Sequence, residues 1–124
     1  MHELSVAMRM RSVLETELAA DGHQLVVDTV RVQVGALANI VPEALEFAWP
    51  HAVADSALLG SSTIEIDWVE AQLRCRDCSA THATPNVYSL RCPACRSDAV
   101  EVVGGDELDI IDVDVRQREA IAPP

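Results

Sequence analysis

Four cysteines carry the plainest chemistry in the chain. Cys75 and Cys78 are separated by two residues, as are Cys92 and Cys95, and thirteen residues lie between the two pairs. Two residues between cysteines let both sulfurs of a tight turn face one centre, and two such knuckles supply four thiolates to a tetrahedral ion. The gap is slightly below the spacing of about 15 to 20 residues usual between such pairs, which suits a compact zinc ribbon. Four protein ligands leave no position open to water, so the metal expected here is structural rather than catalytic. Iron held in rubredoxin fashion uses the same four thiolates. The glycine common after rubredoxin-type knuckles is replaced by Ser79 and Arg96, which points to zinc. With the tetrahedron filled, His82 reads as a loop histidine.

A second candidate stands at the start of the chain. The α-amine of Met1 and the imidazole of His2 can bind one ion together, with the intervening backbone nitrogen or the Glu3 carboxylate filling further positions. Nitrogen-rich, tetragonal sets of this kind suit Ni(II) or Cu(II). A bulky residue at position two keeps the initiator methionine in place, so the amine is that of Met1. On residue identity alone an incidental histidine is the commoner explanation of His2. His23, after Gly22, and His51, after Pro50, read as surface residues.

Charge narrows the function classes. Twenty acids face nine bases, a formal charge of −11, and every base is an arginine. Without lysine there is no Schiff base and no phosphate-gripping P-loop, and no Gly-x-Gly-x-x-Gly occurs. Nucleic-acid binding draws most of its affinity from neutralised phosphates, which this chain would repel. Aromatics amount to 3%, too few for a base-stacking platform. From Arg74 to Ser97 the balance reverses, with four arginines against Asp77 alone, leaving −14 for the remainder. Local compensation of an anionic thiolate site is the plain reading of that reversal, and a basic docking patch is the other.

No apolar run approaches the roughly 18 residues that span a bilayer. Met1-His2-Glu3-Leu4 lacks the basic and apolar regions of a secretory signal, so a cytoplasmic chain beginning at Met1 is expected. In that reducing compartment the cysteines bind metal rather than pair as disulfides. No nucleophile with an evident base emerges, so the chain does not read as an enzyme.

The elements that must position these groups fit within 124 residues, enough for one core and a small appended module. Val6, Met10, Val13 and Leu14, with Ala7 and Leu18, recur at helical spacing from Leu4 to Ala20, and Gly22 is placed to end that helix. Val26, Val30, Val32 and Val34 alternate with polar residues in a half-buried strand ending at Gly35. Pro42-Glu43 opens a second helix whose apolar face is Leu45, Ala48, Trp49 and Ala52, and Pro50 should bend it or split it in two. Ile64, Ile66 and Trp68 give a strand whose apolar parity then switches to Val69, Ala71 and Leu73, as a bulge or bend would cause. Leu108 to Val115 gives a third strand with a similar switch, and the two switches suggest paired strands bending together. Asp109, Asp112 and Asp114 read as a solvated sheet edge.

The fold class is therefore α+β: a small three-stranded sheet packed with two helices, plus an inserted zinc-ribbon module. The expected division is an α/β domain of residues 1–73 with 106–117, which carries the N-terminal metal candidate, an inserted zinc-binding domain of residues 74–105, and a flexible tail over 118–124.

Met1-His2-Glu3-Leu4-Ser5-Val6-Ala7 and its helix, Val34-Gly35, Val41-Pro42-Glu43-Ala44-Leu45 with Phe47, and the knuckles Cys75-Arg76-Asp77-Cys78 and Cys92-Pro93-x-Cys95 together resemble the HypA/HybF family of hydrogenase nickel-incorporation proteins. The resemblance covers nearly the whole chain, in order. It implies a nickel metallochaperone in which His2, the Met1 amine and the adjoining backbone or Glu3 bind Ni(II), while Cys75, Cys78, Cys92 and Cys95 hold Zn(II). It implies partnership with a HypB-type GTPase, delivery to the large subunit of a [NiFe] hydrogenase, and supply to urease maturation proteins in some cases. The family fold it implies is a three-stranded sheet with two helices and a zinc domain inserted before the last strand. Pro50, the non-glycine residues after each knuckle and the Pro123-Pro124 tail depart from the family pattern. The alternative reading is a zinc-ribbon protein–protein adaptor.

Overall fold

The computed structural model describes residues 2–19 and 24–117. The Met1 amine, the stop at Gly22, the position of His23 and the tail over 118–124 lie outside the described residues. Eight elements follow one another: α1 (His2–Ala19), β1 (Leu25–Gly35), α2 (Pro42–Val53), β2 (Thr63–Val69), β3 (Ala71–Cys75), β4 (Thr81–Thr84), β5 (Val100–Gly104) and β6 (Leu108–Gln117). They form two three-stranded sheets, ordered β2-β1-β6 and β4-β3-β5. The chain divides into two compact units, one of Met1–Arg31, Val41–Glu65 and Ile110–Pro124, the other of Val32–Ile40 and Ile66–Asp109.

In the first unit α1 buries Val6, Ala7, Met10 and Leu14, a stripe at helical spacing. Val13, expected on that stripe, is instead 52% exposed, because Leu14 takes the inward position one residue on. Leu45, Ala48, Trp49, Ala52 and Val53 line the buried face of α2. Each large side chain so removed from water stabilises the fold by about 1.5–3 kcal/mol.

Pro50 does not split α2, which runs unbroken from Pro42 to Val53. Proline deletes one N–H and crowds the carbonyl four residues back, but Pro50 stands in the last turn, exposed, between buried Trp49 and Ala52. Tertiary packing on both sides outweighs the lost bond.

One helix braces both ends of the other. Val41 caps α2 without any side-chain bond of its own, and the Glu3 carboxylate reaches its backbone N–H at 3.4 Å. At the far end Arg11 Nη1 donates to the carbonyl of Ala52 at 2.9 Å and to Asp55 Oδ1. An acid at the start of α2 and a cation at its end both complement the helix dipole and its unsatisfied groups. The same contacts show that α1 and α2 run in the same direction.

Arg31, on the central strand β1, bonds Glu65 on β2 at 3.2 Å and Asp112 and Asp114 on β6 at 2.7 and 2.6 Å. Asp112 and Asp114 thus form a cross-strand clamp rather than a merely solvated edge, while Asp109 is exposed and forms no ion pair among the described residues. The two parity switches do not mark paired strands, since β1 lies between β2 and β6. The first switch is the change of sheet itself, because β2 ends at Val69 and β3 begins at Ala71 in the other sheet.

In the second unit β3 pairs antiparallel with both β4 and β5, and its pairing with β5 shifts register between Gln72 and Leu73. Ala71, Leu73 and Cys75 alternate inward along β3. The last of them is also the first metal-ligand candidate, so the strand that builds this core aims a sulfur.

Candidate metal centre

The first knuckle begins at the end of a strand and the second in the segment between β4 and β5. Cys75 closes β3, its N–H bonding the carbonyl of Ala80 at 2.9 Å across the turn. Cys92 is held by N–H donation to the carbonyl of Ser97 at 2.9 Å, while Arg96 N–H returns to the carbonyl of Cys92 at 2.8 Å. Both turns need a left-handed residue after their second cysteine, and Ser79 (φ 60°) and Arg96 (φ 62°) adopt it without being glycine. That conformation costs a non-glycine residue roughly 1–2 kcal/mol. Asp77 and Ser97 tie one turn to the other through a short hydroxyl–carboxylate bond.

The four Sγ atoms lie within 4.8 Å of one another. Cys75 and Cys95 are 3.5 Å apart, Cys78 and Cys92 3.6 Å. A disulfide needs about 2.05 Å, and all four cysteines are free. An ion with Zn–S bonds of about 2.3 Å holds its sulfurs roughly 3.8 Å apart in a tetrahedron, so the cluster fits such an ion with small adjustments. Cys75 and Cys92 are buried, whereas Cys78 and Cys95 are exposed.

The sulfurs differ in their hold on a proton. N–H groups of Cys95 and Ala94 draw the Cys92 thiol down to about 6, against the effect of burial. For Cys95 the Ser97 N–H favours the thiolate, but the neighbouring Cys75 sulfur, burial and Cys92 outweigh it and push it up to about 12. Cys78 is raised likewise, its Ala80 N–H being outweighed by burial and by the sulfurs of Cys92 and Cys75. Sulfurs this close cannot all ionise unaided, and a divalent cation is what lets them.

His82 is not in a loop. It lies in β4, and its Nε2 stands 3.7 Å from Cys78 Sγ. The four-residue step from Cys78 was the available signal. The imidazole neighbours the cluster, whose four members are the cysteines alone.

At the other candidate, His2 is the first residue of α1 and is exposed, and Glu3 is half-buried beside Val41. His51 is exposed on α2, its ring 5.2 Å from that of Phe47. No helix among the described residues is long and apolar enough to cross a membrane.

Comparison with known proteins places these features. Residues 1–115 match the family model described as hydrogenase/urease nickel incorporation, metallochaperone, hypA. The hydrogenase maturation factor HypA of Solidesulfovibrio magneticus is 39% identical over 113 residues, 89% of this chain and 95% of that protein. The protein of the same name from Moorella thermoacetica is 33% identical over 110 residues, with the same shares covered. The solution structure of the Ni metallochaperone HypA from Helicobacter pylori superposes with a TM-score of 0.63 at 19% identity, over 94% of this chain and 98% of that one. That likeness establishes the fold, two helices with small sheets and a four-cysteine module.

Proposed function

Because this chain belongs to the HypA family of hydrogenase and urease nickel-incorporation metallochaperones, we propose that it captures Ni(II) at its first residues and passes the ion on during hydrogenase maturation. A metallochaperone carries its ion without transforming it, so the protein is not an enzyme. The ligands we assign are the Met1 amine, the His2 imidazole and the adjoining backbone nitrogen or Glu3 carboxylate. Cys75, Cys78, Cys92 and Cys95 then hold Zn(II) in a closed structural site, which the spacing of their sulfurs supports.

The observation that carries this reading is the place of His2 as the exposed opening residue of α1. The first four N–H groups of a helix have no intrahelical acceptor, so an amide there can give up its proton to a metal without breaking the helix ladder. The dipole opposes a cation at that end by about 0.3–1 kcal/mol, and the carboxylate of Glu3 offsets it. An ion held at an exposed terminus can exchange ligands with an acceptor one at a time, whereas four thiolates around zinc leave no position for entry.

The functional division we assign is a nickel domain of residues 1–73 with 106–117 and a zinc domain of residues 74–105. A HypB-type GTPase and the large subunit of a [NiFe] hydrogenase are the partners this reading calls for in the cytoplasm, with urease maturation proteins as further recipients.

The test is metal content and nickel titration on protein with a native N-terminus, wild type against His2→Ala. Zinc retained by both and nickel bound by wild type alone is the expected result. Equal nickel binding by the two would remove His2 from the site and leave a zinc-ribbon adaptor as the better reading.

A further inference from the structure

Of the four described arginines outside the cysteine module, three are committed to acids, Arg11 to Glu15 and Asp55, Arg31 to Glu65, Asp112 and Asp114, and Arg116 to Asp28, and Arg9 alone stands exposed without an ion pair. None of the module's four is so committed. Arg74, Arg76, Arg91 and Arg96 are all exposed, and among the described residues none forms an ion pair; the sole side-chain bond they make is from Arg91 Nη1 to the carbonyl of Arg96 at 3.3 Å. None donates to a cysteine sulfur either, so local compensation of the thiolates, as far as it occurs, works without contact. In a chain of 20 acids and 9 bases, four unclaimed guanidinium groups in one segment are unexpected.

They are also neighbours. Asp77 and Ser97 are in contact, which brings the adjoining Arg76 and Arg96 to the same seam. Arg91 reaches Arg96, and Arg91 N–H donates to the carbonyl of Ser89 at 3.0 Å in the turn that follows Tyr88. Tyr88 is 97% exposed on a turn fixed by Asn86 Oδ1, which accepts the Tyr88 N–H at 3.1 Å. Arg96 occupies a left-handed position that glycine would fill without strain.

We propose that Arg76, Arg91 and Arg96, with Tyr88 as the aromatic anchor, form a docking surface for an extended acidic segment of a partner protein. Guanidinium forks pair with carboxylates through two parallel hydrogen bonds, and arginine and tyrosine are the types enriched where interfaces gain their energy. Aromatics amount to 3% of the chain, which offers no row of rings on which successive bases could stack, and this leaves a protein as the occupant.

The test uses zinc-loaded full-length protein and a fluorescein-labelled peptide about a dozen residues long that alternates Glu with Phe, read by anisotropy at low salt and again at about 0.15 M. The expected result is saturable, salt-weakened binding that falls at least about tenfold in the triple variant Arg76→Ala/Arg91→Ala/Arg96→Ala with zinc content intact. A reversed variant, Arg76→Glu/Arg91→Glu, should take up the same peptide rewritten with Lys for Glu. Arg96→Gly separates docking from folding, since it should weaken the acidic peptide while raising the melting temperature. Undiminished binding by the triple variant overturns the proposal. So does a single-stranded oligonucleotide of similar length that binds as tightly through the same arginines, or arginine-dependent self-association with no peptide binding.

Discussion

Gly35 and Gly105 meet backbone against backbone: a Cβ added to Gly35 would fall 2.0 Å from the carbonyl oxygen of Gly105. The contact is locked by Leu37 N–H donating to that same oxygen at 2.6 Å, and by the Glu107 carboxylate receiving the Gly105 N–H at 3.0 Å. Gly105 itself has φ +102°, and a Cβ there would meet Ala71 Cα at 2.5 Å. Gly105→Ala should therefore cost more than the roughly 1–3 kcal/mol of backbone strain alone. Urea melts followed by circular dichroism should show a lower midpoint. An unchanged midpoint would mean that this close approach relaxes without cost.

Pro50 is a liability that α2 carries. Pro50→Ala restores an N–H able to reach the carbonyl of Glu46 and removes a ring that crowds it, without touching the buried face. The variant should be more stable, by up to about 3 kcal/mol. A loss of stability would assign the proline a packing role on its exposed side.

Asp55 and Asp114 titrate below the usual carboxylate range in the folded chain, because hydrogen bonds from Arg11 and from Arg31 favour their ionised forms. A lowered folded pKa contributes stability that is complete above the unfolded value of about 3.9 and is lost as pH falls through the folded one. Urea midpoints should thus decline below about pH 4. Asp55→Asn should start lower at neutral pH and converge on the wild type in acid. Parallel curves across the whole range would show that the Arg11 pair contributes nothing.

Cys92→Ser, or a strong chelator at neutral pH, should empty the thiolate cluster. Beyond it, the segment between the knuckles has few apolar side chains, and Val87 and Leu90 are only half-buried. With metal gone, amide exchange over residues 76–99 should become fast, while α1 and α2 keep their protection. Equal protection with and without metal would make the cluster dispensable to the fold.

Much of this was legible in the chain. Both helices and the three longer strands follow from apolar spacing, and the knuckles follow from two pairs of cysteines. What escaped was set by partners distant in sequence. Nothing near Glu3 or Arg11 says that they brace α2, since Val41 and Ala52 lie some forty residues away. Asp112 and Asp114 look like solvated edge until Arg31 is placed beside them on the next strand. The short strands β4 and β5 escaped too, because four or five residues of mixed character carry little periodicity and are ordered by pairing with β3. At the first residues, a histidine and a glutamate gain meaning only from their companions in the family pattern.

The chain is also its own optical probe. Of its two tryptophans, Trp49 is wholly buried, with Nε1 donating to Ser62 Oγ at 3.0 Å, while Trp68 is 46% exposed. One belongs to each compact unit. Trp49 should emit towards the blue and resist iodide, and Trp68 should emit towards the red and be quenched by it. Loosening of either unit can then be read by colour, without a label and without disturbing the first residues of the chain.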